Sequence, residues 1–175
     1  MQKKIVLFFL GLLAASIVTY SQPPKPNSYI RNARLNRFVG TWIGNIGSDT
    51  IRFVLLKKKK VLMPLNTNVR VDLIVGFHSY TRGDSIIESS LEYSKTPYAD
   101  KKFSISGIGK KESGRDIILG TITDITKGGK LFDLKLILNS KRKRMEVELA
   151  NREGIHIGWA PGRTLPEKFI LYKCR

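Results

Sequence analysis

An all-β fold, an antiparallel barrel of eight to ten strands, is predicted from three features of the chain. From Phe38 onward the apolar residues recur with a period of two rather than 3.6, so each segment has one buried and one wet face. The runs are short and closely spaced, as in barrels and sandwiches. The breaks between them are turn chemistry, as in Gly47-Ser48-Asp49, Arg82-Gly83-Asp84, Gly114-Arg115, Lys127-Gly128-Gly129-Lys130 and Arg152-Glu153-Gly154. A two-sheet sandwich is the alternative.

The chain opens with Lys3 and Lys4, an apolar run from Ile5 to Val18, and Thr19-Tyr20-Ser21 before the polar Gln22. This is the pattern of a cleavable signal peptide over 1–21. The run falls short of the roughly 20 apolar residues that span a bilayer. No cysteine follows it to anchor a lipoprotein, so the expectation is a soluble secreted or periplasmic protein without a transmembrane segment after cleavage. Removing 1–21 leaves 154 of 175 residues, enough for one domain. The signal holds two of the 31 Lys+Arg and none of the 14 Asp+Glu, which leaves a mature net charge of +15. Such a charge speaks of anionic partners rather than of fold.

Residues 22–37 read as a linker and short helical turn. Gln22-Pro23-Pro24-Lys25-Pro26 is stiff and extended, and Asn27-Ser28 is placed to cap a turn carrying Tyr29, Ile30, Ala33 and Leu35. A single barrel domain then fills 38–175, with strands predicted at 38–45, 49–57, 70–80, 85–92, 102–108, 116–124, 131–139, 144–151, 155–160 and 168–174. On the third, Val71, Leu73, Val75 and Phe77 alternate with Arg70, Asp72 and His78, and the apolar set is assigned to the core. The one long connection, Lys58 to Val69, contains Pro64 and suits a flap. The single cysteine, Cys174, has no partner for an intramolecular disulfide and reads as a late residue of the last strand.

Gly40-Thr41-Trp42 resembles the Gly-x-Trp opening strand of the lipocalin and calycin barrels, and the layout resembles that of uncharacterised exported bacterial proteins with a small barrel. That resemblance implies a Thr-Asp-Tyr motif between strands six and seven, matched in order by Thr123-Asp124-Ile125 with isoleucine for tyrosine. It also implies an arginine near the end of strand eight, packed over the tryptophan, a place that Arg152 takes by order. Gly40, Trp42 and Arg152 are thus the structural positions it assigns.

Catalytic and cofactor chemistry find little support. His78 and His156 lack metal-ligand spacing, and neither a Gly-x-Ser-x-Gly elbow nor a phosphate-binding glycine loop occurs. The expectation is a non-enzymatic protein with no catalytic residues, metal or other cofactor. Lys57-Lys58-Lys59-Lys60 and Lys141-Arg142-Lys143-Arg144 are basic tetrads, without an aromatic-rich motif for specific nucleic-acid recognition. Gly158-Trp159-Ala160-Pro161-Gly162 reads as a tryptophan closing one barrel end.

Two functional classes fit. One is a carrier that holds a small hydrophobic molecule or anionic amphiphile in the barrel; the other is an envelope-associated interaction protein that binds an anionic polymer through its basic surface, with a filled interior. If consecutive connections alternate between the ends, Arg82, Lys110, Lys111, Arg115, Lys141, Arg142, Lys143 and Arg163 share one cationic rim as a ligand-binding mouth. The Lys57–Lys60 run then falls at the opposite end.

Overall fold

Alternation of this kind folds into ten strands of one sheet in a computed structural model that describes residues 24–63, 68–139, 141–152 and 161–174. They are β1 (Tyr29–Ile30), β2 (Gly40–Ile46), β3 (Asp49–Leu62), β4 (Arg70–Arg82), β5 (Ser85–Ser89), β6 (Ile105–Glu112), β7 (Arg115–Asp124), β8 (Lys130–Leu138), β9 (Arg144–Asn151) and β10 (Lys168–Lys173). Eight of them close a barrel in the order β2-β3-β4-β6-β7-β8-β9-β10, with β10 returning antiparallel to β2. Closure leaves no free sheet edge along that circuit. The signal segment 1–21, the strand expected at 155–160, His156 and Trp159 lie outside the described residues.

The lead-in differs from expectation in two respects. Tyr29–Ile30 pairs parallel with Arg70–Val71 as a strand, and the helical turn is a 3-10 turn over Ala33–Arg37, capped by the Asn32 side chain rather than by Asn27 or Ser28. The proposed flap is also shorter, because β3 runs on to Leu62 through a bulge between Lys58 and Val61.

β4 reverses the predicted assignment of its faces. Its inward residues are Ile74, His78 and Tyr80, with Asp72 on the same side, whereas Val71, Val75 and Phe77 face outward. The outward set is buried all the same, because the segment after β5 lays Pro97, Tyr98 and Phe103 over Val75 and Phe77. Tyr98 and Phe103 stack with ring centroids 5.5 Å apart. An apolar outer face is therefore a covered face here, and the polar residues turned inward are paired ones.

β5 does not cross the barrel. It doubles back on the upper part of β4, pairing Ser85–Ser89 with Ser79–Arg82. The chain then returns outside the wall through 3-10 turns at Leu91–Lys95 and Tyr98–Asp100 and re-enters at mid-height, where Ile105 pairs with Gly76. One crossing is thus missing from the predicted alternation, and the connections at 113–114 and 139–143 move to the other end.

We call the end containing Ala33–Arg37 the entry end. It also holds the start of the 63–69 connection, the turns at 113–114 and 139–143, and Cys174, whose N–H donates to Thr41 O at 2.9 Å. The far end holds the turns at 47–48, 83–84 and 125–129 and residues 161–167, which lead into Lys168. Side chains fill the space between: Leu35, Phe38, Trp42, Ile51, Phe53, Leu55, Phe132, Leu136, Met145 and Leu171 are all buried in one cluster. Phe53 meets Phe169 edge-on at 5.8 Å across the interior. Leu35 plugs the entry end against Gly109, where an added Cβ would lie 2.5 Å from Leu35 Cδ2.

The outer face of the β8–β9 pair carries Asp133, Lys135, Glu146 and Glu148 beside Ile137 and Ala150. An apolar interior and charges at mid-wall are unlike the polar lumen and apolar belt of a lipid-facing barrel. Among the described residues no helix is long and apolar enough to cross a membrane.

Trp42 is fully buried at the entry end, its Nε1 donating to Phe38 O at 2.7 Å. The cation over its ring is Lys173, with Nζ 5.3 Å from the centroid. Arg152 instead follows β9 at the far end, and Thr123-Asp124-Ile125 closes the fifth barrel strand rather than the sixth. The eighth barrel strand is β10, and Lys173 is its last residue. Gly40 makes room for it: its φ is +125°, and an added Cβ would sit 3.2 Å from Lys173 Cε. In a Trp159→Phe background, Lys173→Ala is expected to cost about 1 kcal/mol, lower Tm by roughly 2–4 °C and shift Trp42 emission. Arg152→Ala should leave that emission unchanged.

Candidate functional site

The inverted parity splits the predicted rim. Arg82 and Arg163 stand at the far end, while Lys110, Lys111, Arg115, Lys141, Arg142 and Lys143 stand at the entry end, away from them. Arg82 is occupied by Asp49, at 3.4 Å, and by Tyr80. Arg163 donates to Leu165 O at 3.0 Å and lies over the Phe132 ring at 5.7 Å. Leu165 is buried in the core cluster, and Asp124 fixes the loop by accepting from Thr164 N at 2.7 Å. This is a cap on the barrel rather than a mouth.

The same change brings the two basic tetrads to one end. Lys57–Lys60 closes the lower part of β3, past the Gly40–Leu55 pair, and Lys141–Arg144 leads into β9, where Lys173 N donates to Lys143 O at 3.0 Å. The 3-10 turn adds Arg34 and Arg37, and the β6–β7 hairpin adds Lys110, Lys111 and Arg115. Acidic groups at this end are few and engaged. Asp116 holds Arg37 and Arg34, and Glu112 holds Lys110 and Lys135, both at 2.9 Å. Lys135 and Lys110 keep the Glu112 carboxyl down at about 2. Among the described residues no ion pair engages the exposed Lys59, Lys60, Lys111, Arg115, Lys141, Arg142 or Lys143. The result is a surface of unneutralised cations on one pole of the barrel.

Lys57 alone of its tetrad turns inward. It pairs with the buried Asp72 at 2.8 Å, and Tyr29 donates to the same carboxylate at 2.6 Å. Burial would raise the Asp72 carboxyl, but Lys57, Tyr29 and the Asn32 amide outweigh it and hold it at about 2. This set ties β1 and the 3-10 turn to the barrel floor and fixes the base on which the other lysines stand. The folded value lies below the unfolded one near 3.9, so the stabilisation is present above about pH 4 and is lost as pH falls toward 2. Asp72 is expected to account for on the order of 2 kcal/mol of the loss between pH 5 and 2. Urea melts of Asp72→Asn across that range should show lower stability at pH 5 and a flatter acid limb.

A second buried polar set seals the wall where β5 leaves β4. His78 Nδ1 is hydrogen-bonded to Ser104 Oγ at 2.7 Å and Nε2 to Glu88 Oε1 at 3.0 Å. Ser90 Oγ reaches Ser104 Oγ at 2.8 Å, and Glu88 Oε2 accepts from Ile125 N at 2.9 Å. The serine–histidine–carboxylate order invites comparison with a nucleophile relay. Here His78 is wholly buried and Ser104 is 6% exposed, so the set stitches β4, β5 and the β7–β8 turn together. Glu88→Ala leaves buried donors without an acceptor and should cost about 2–4 kcal/mol in denaturant melts.

A family model matches residues 1–173 of the chain. The chain belongs to DUF6705, a family of unknown function. Comparison with curated proteins and with solved structures gives no match. For this DUF6705 chain the functional evidence is therefore its own geometry: a packed interior, capped ends and a cationic pole. Sequence reasoning missed the Lys57–Asp72 and His78–Glu88 sets. The signal was there in the polar residues punctuating β4, but alternation alone assigned them to solvent.

Proposed function

We propose that this DUF6705 member is an exported, non-enzymatic interaction protein that binds a polyanionic component of the cell envelope through its entry end. The observation that carries the proposal is the convergence of both basic tetrads and the β6–β7 hairpin cations on one pole. Like-charged side chains gathered at one end repel one another, and an anionic partner relieves the repulsion while releasing counterions. The packed interior weighs against an internal ligand, since the largest core side chains occupy the space a carrier would leave open. The export signal over 1–21 makes envelope polyanions the accessible class.

Binding should fall linearly in log K with log salt. Changing Lys59, Lys60, Lys110 and Lys111 together to glutamine should weaken association with polyphosphate at least tenfold, by titration calorimetry at low salt. Changing Arg52, Lys127 and Lys168 in the far half should alter it less than twofold. Equal losses from the two variants would refute the assignment to the entry end.

A further inference from the structure

The entry end carries exposed apolar side chains among its cations, and together they suit a different anion source from a soluble polymer. Val61, Val71 and Ile30 form one row across β3, β4 and β1 on the outer wall. Asn32 Nδ2 donates to Gly109 O at 2.8 Å, which sets Ile108 beside β1, and Ile108 pairs in turn with Leu119 on β7. Leu62 ends β3 at the rim of the entry end, paired with Arg70 and so on the opposite face of the strand from Val61. Ile30, Leu62 and Ile108 are 45%, 56% and 54% exposed, a heavy exposure for three large aliphatic residues in the entry half of the barrel, on both faces of the β3–β4 rim. Lys60 stands on the Leu62 side of the rim, its ammonium 5.8 Å from the Tyr29 ring, and Lys110 and Lys111 follow Ile108 on β6.

Resting on the reading above, we propose that the polyanion is the surface of an anionic lipid bilayer, with Ile30, Leu62 and Ile108 entering the headgroup layer and the surrounding lysines contacting acidic headgroups. Charge complementarity selects this occupant. A second copy of the chain would present the same cations to this pole and be repelled. A soluble polyanion would satisfy the lysines and leave the aliphatic side chains in water. An acidic bilayer answers both, because apolar burial at the interface and attraction to anionic headgroups add. Arg52, Asp133, Lys135, Glu146 and Glu148 interrupt the rest of the outer wall with charge, so the protein rests on the membrane without spanning it.

The test compares the mature chain with Ile30→Ser/Leu62→Ser/Ile108→Ser, using sedimentation with phosphatidylcholine–phosphatidylglycerol vesicles and calorimetry with polyphosphate. The three side chains are exposed, and circular dichroism checks that the variant keeps the fold; Ile108→Ser alone is the second variant. The proposal expects the triple variant to lose vesicle partitioning at least tenfold and the single variant about threefold, with polyphosphate affinity held within twofold. Unchanged vesicle partitioning in both variants would overturn the membrane assignment while leaving the basic-end reading in place, with a soluble polymer as the partner. Failure of the wild-type chain to bind either vesicles or polyphosphate would overturn both.

Discussion

β4 offers one edge to three successive neighbours: β1 at Arg70–Val71, β6 at Ile74–Gly76 and β5 at Ser79–Arg82. A strand edge has one hydrogen-bonding row, so each neighbour must end where the next begins. β5 therefore cannot continue down the barrel, and the chain has to leave the wall and come back at Ile105. The joint between β5 and β7 exposes donors and acceptors that a continuous ladder would have satisfied, and the buried His78, Glu88, Ser90 and Ser104 side chains meet that need. The disposition of every later connection follows from this joint.

Because those connections are inverted relative to a simple meander, the hairpins rich in lysine and arginine gather around the 3-10 turn. The barrel is plugged there by Leu35 and stiffened by Trp42 beneath Lys173. At the far end Arg163, Leu165 and Asp124 form the corresponding cap. With the interior packed by buried side chains, the proposed binding falls to the outer surface. The polarity of charge along the axis is its most pronounced feature. Lys57–Asp72 belongs to the same design, since it secures the strand from which Lys58, Lys59 and Lys60 project.

Much of the fold is legible in the residues. Strict alternation in Ile51–Leu55, Phe132–Leu138 and Met145–Leu149 locates both strands and inward faces, and the glycine-bearing turns locate the breaks. Ser85–Ser89 reads as a strand and is one, but no local property tells a strand that crosses the barrel from one that folds back on its neighbour. That is a matter of which edge is free, a long-range fact. The face of β4 misleads for a related reason: Val75 and Phe77 are apolar because Tyr98 and Phe103 cover them, and the alternation of hydrophobicity is blind to which side the cover comes from. The basic tetrads were visible from the start. Their convergence depends on the parity that β5 sets, so the same residues support a different site once the topology is known.

Backbone amide chemical shifts of the isotope-labelled chain from Gln22 onward, followed during titration with polyphosphate, test the central claim most directly. The account predicts that the perturbed resonances cluster at Lys59, Lys60, Lys110, Lys111 and Arg142, with Phe53, Leu136 and the turns at 47–48 and 83–84 unmoved. Perturbations centred on the far end, or spread through the interior residues, would contradict it.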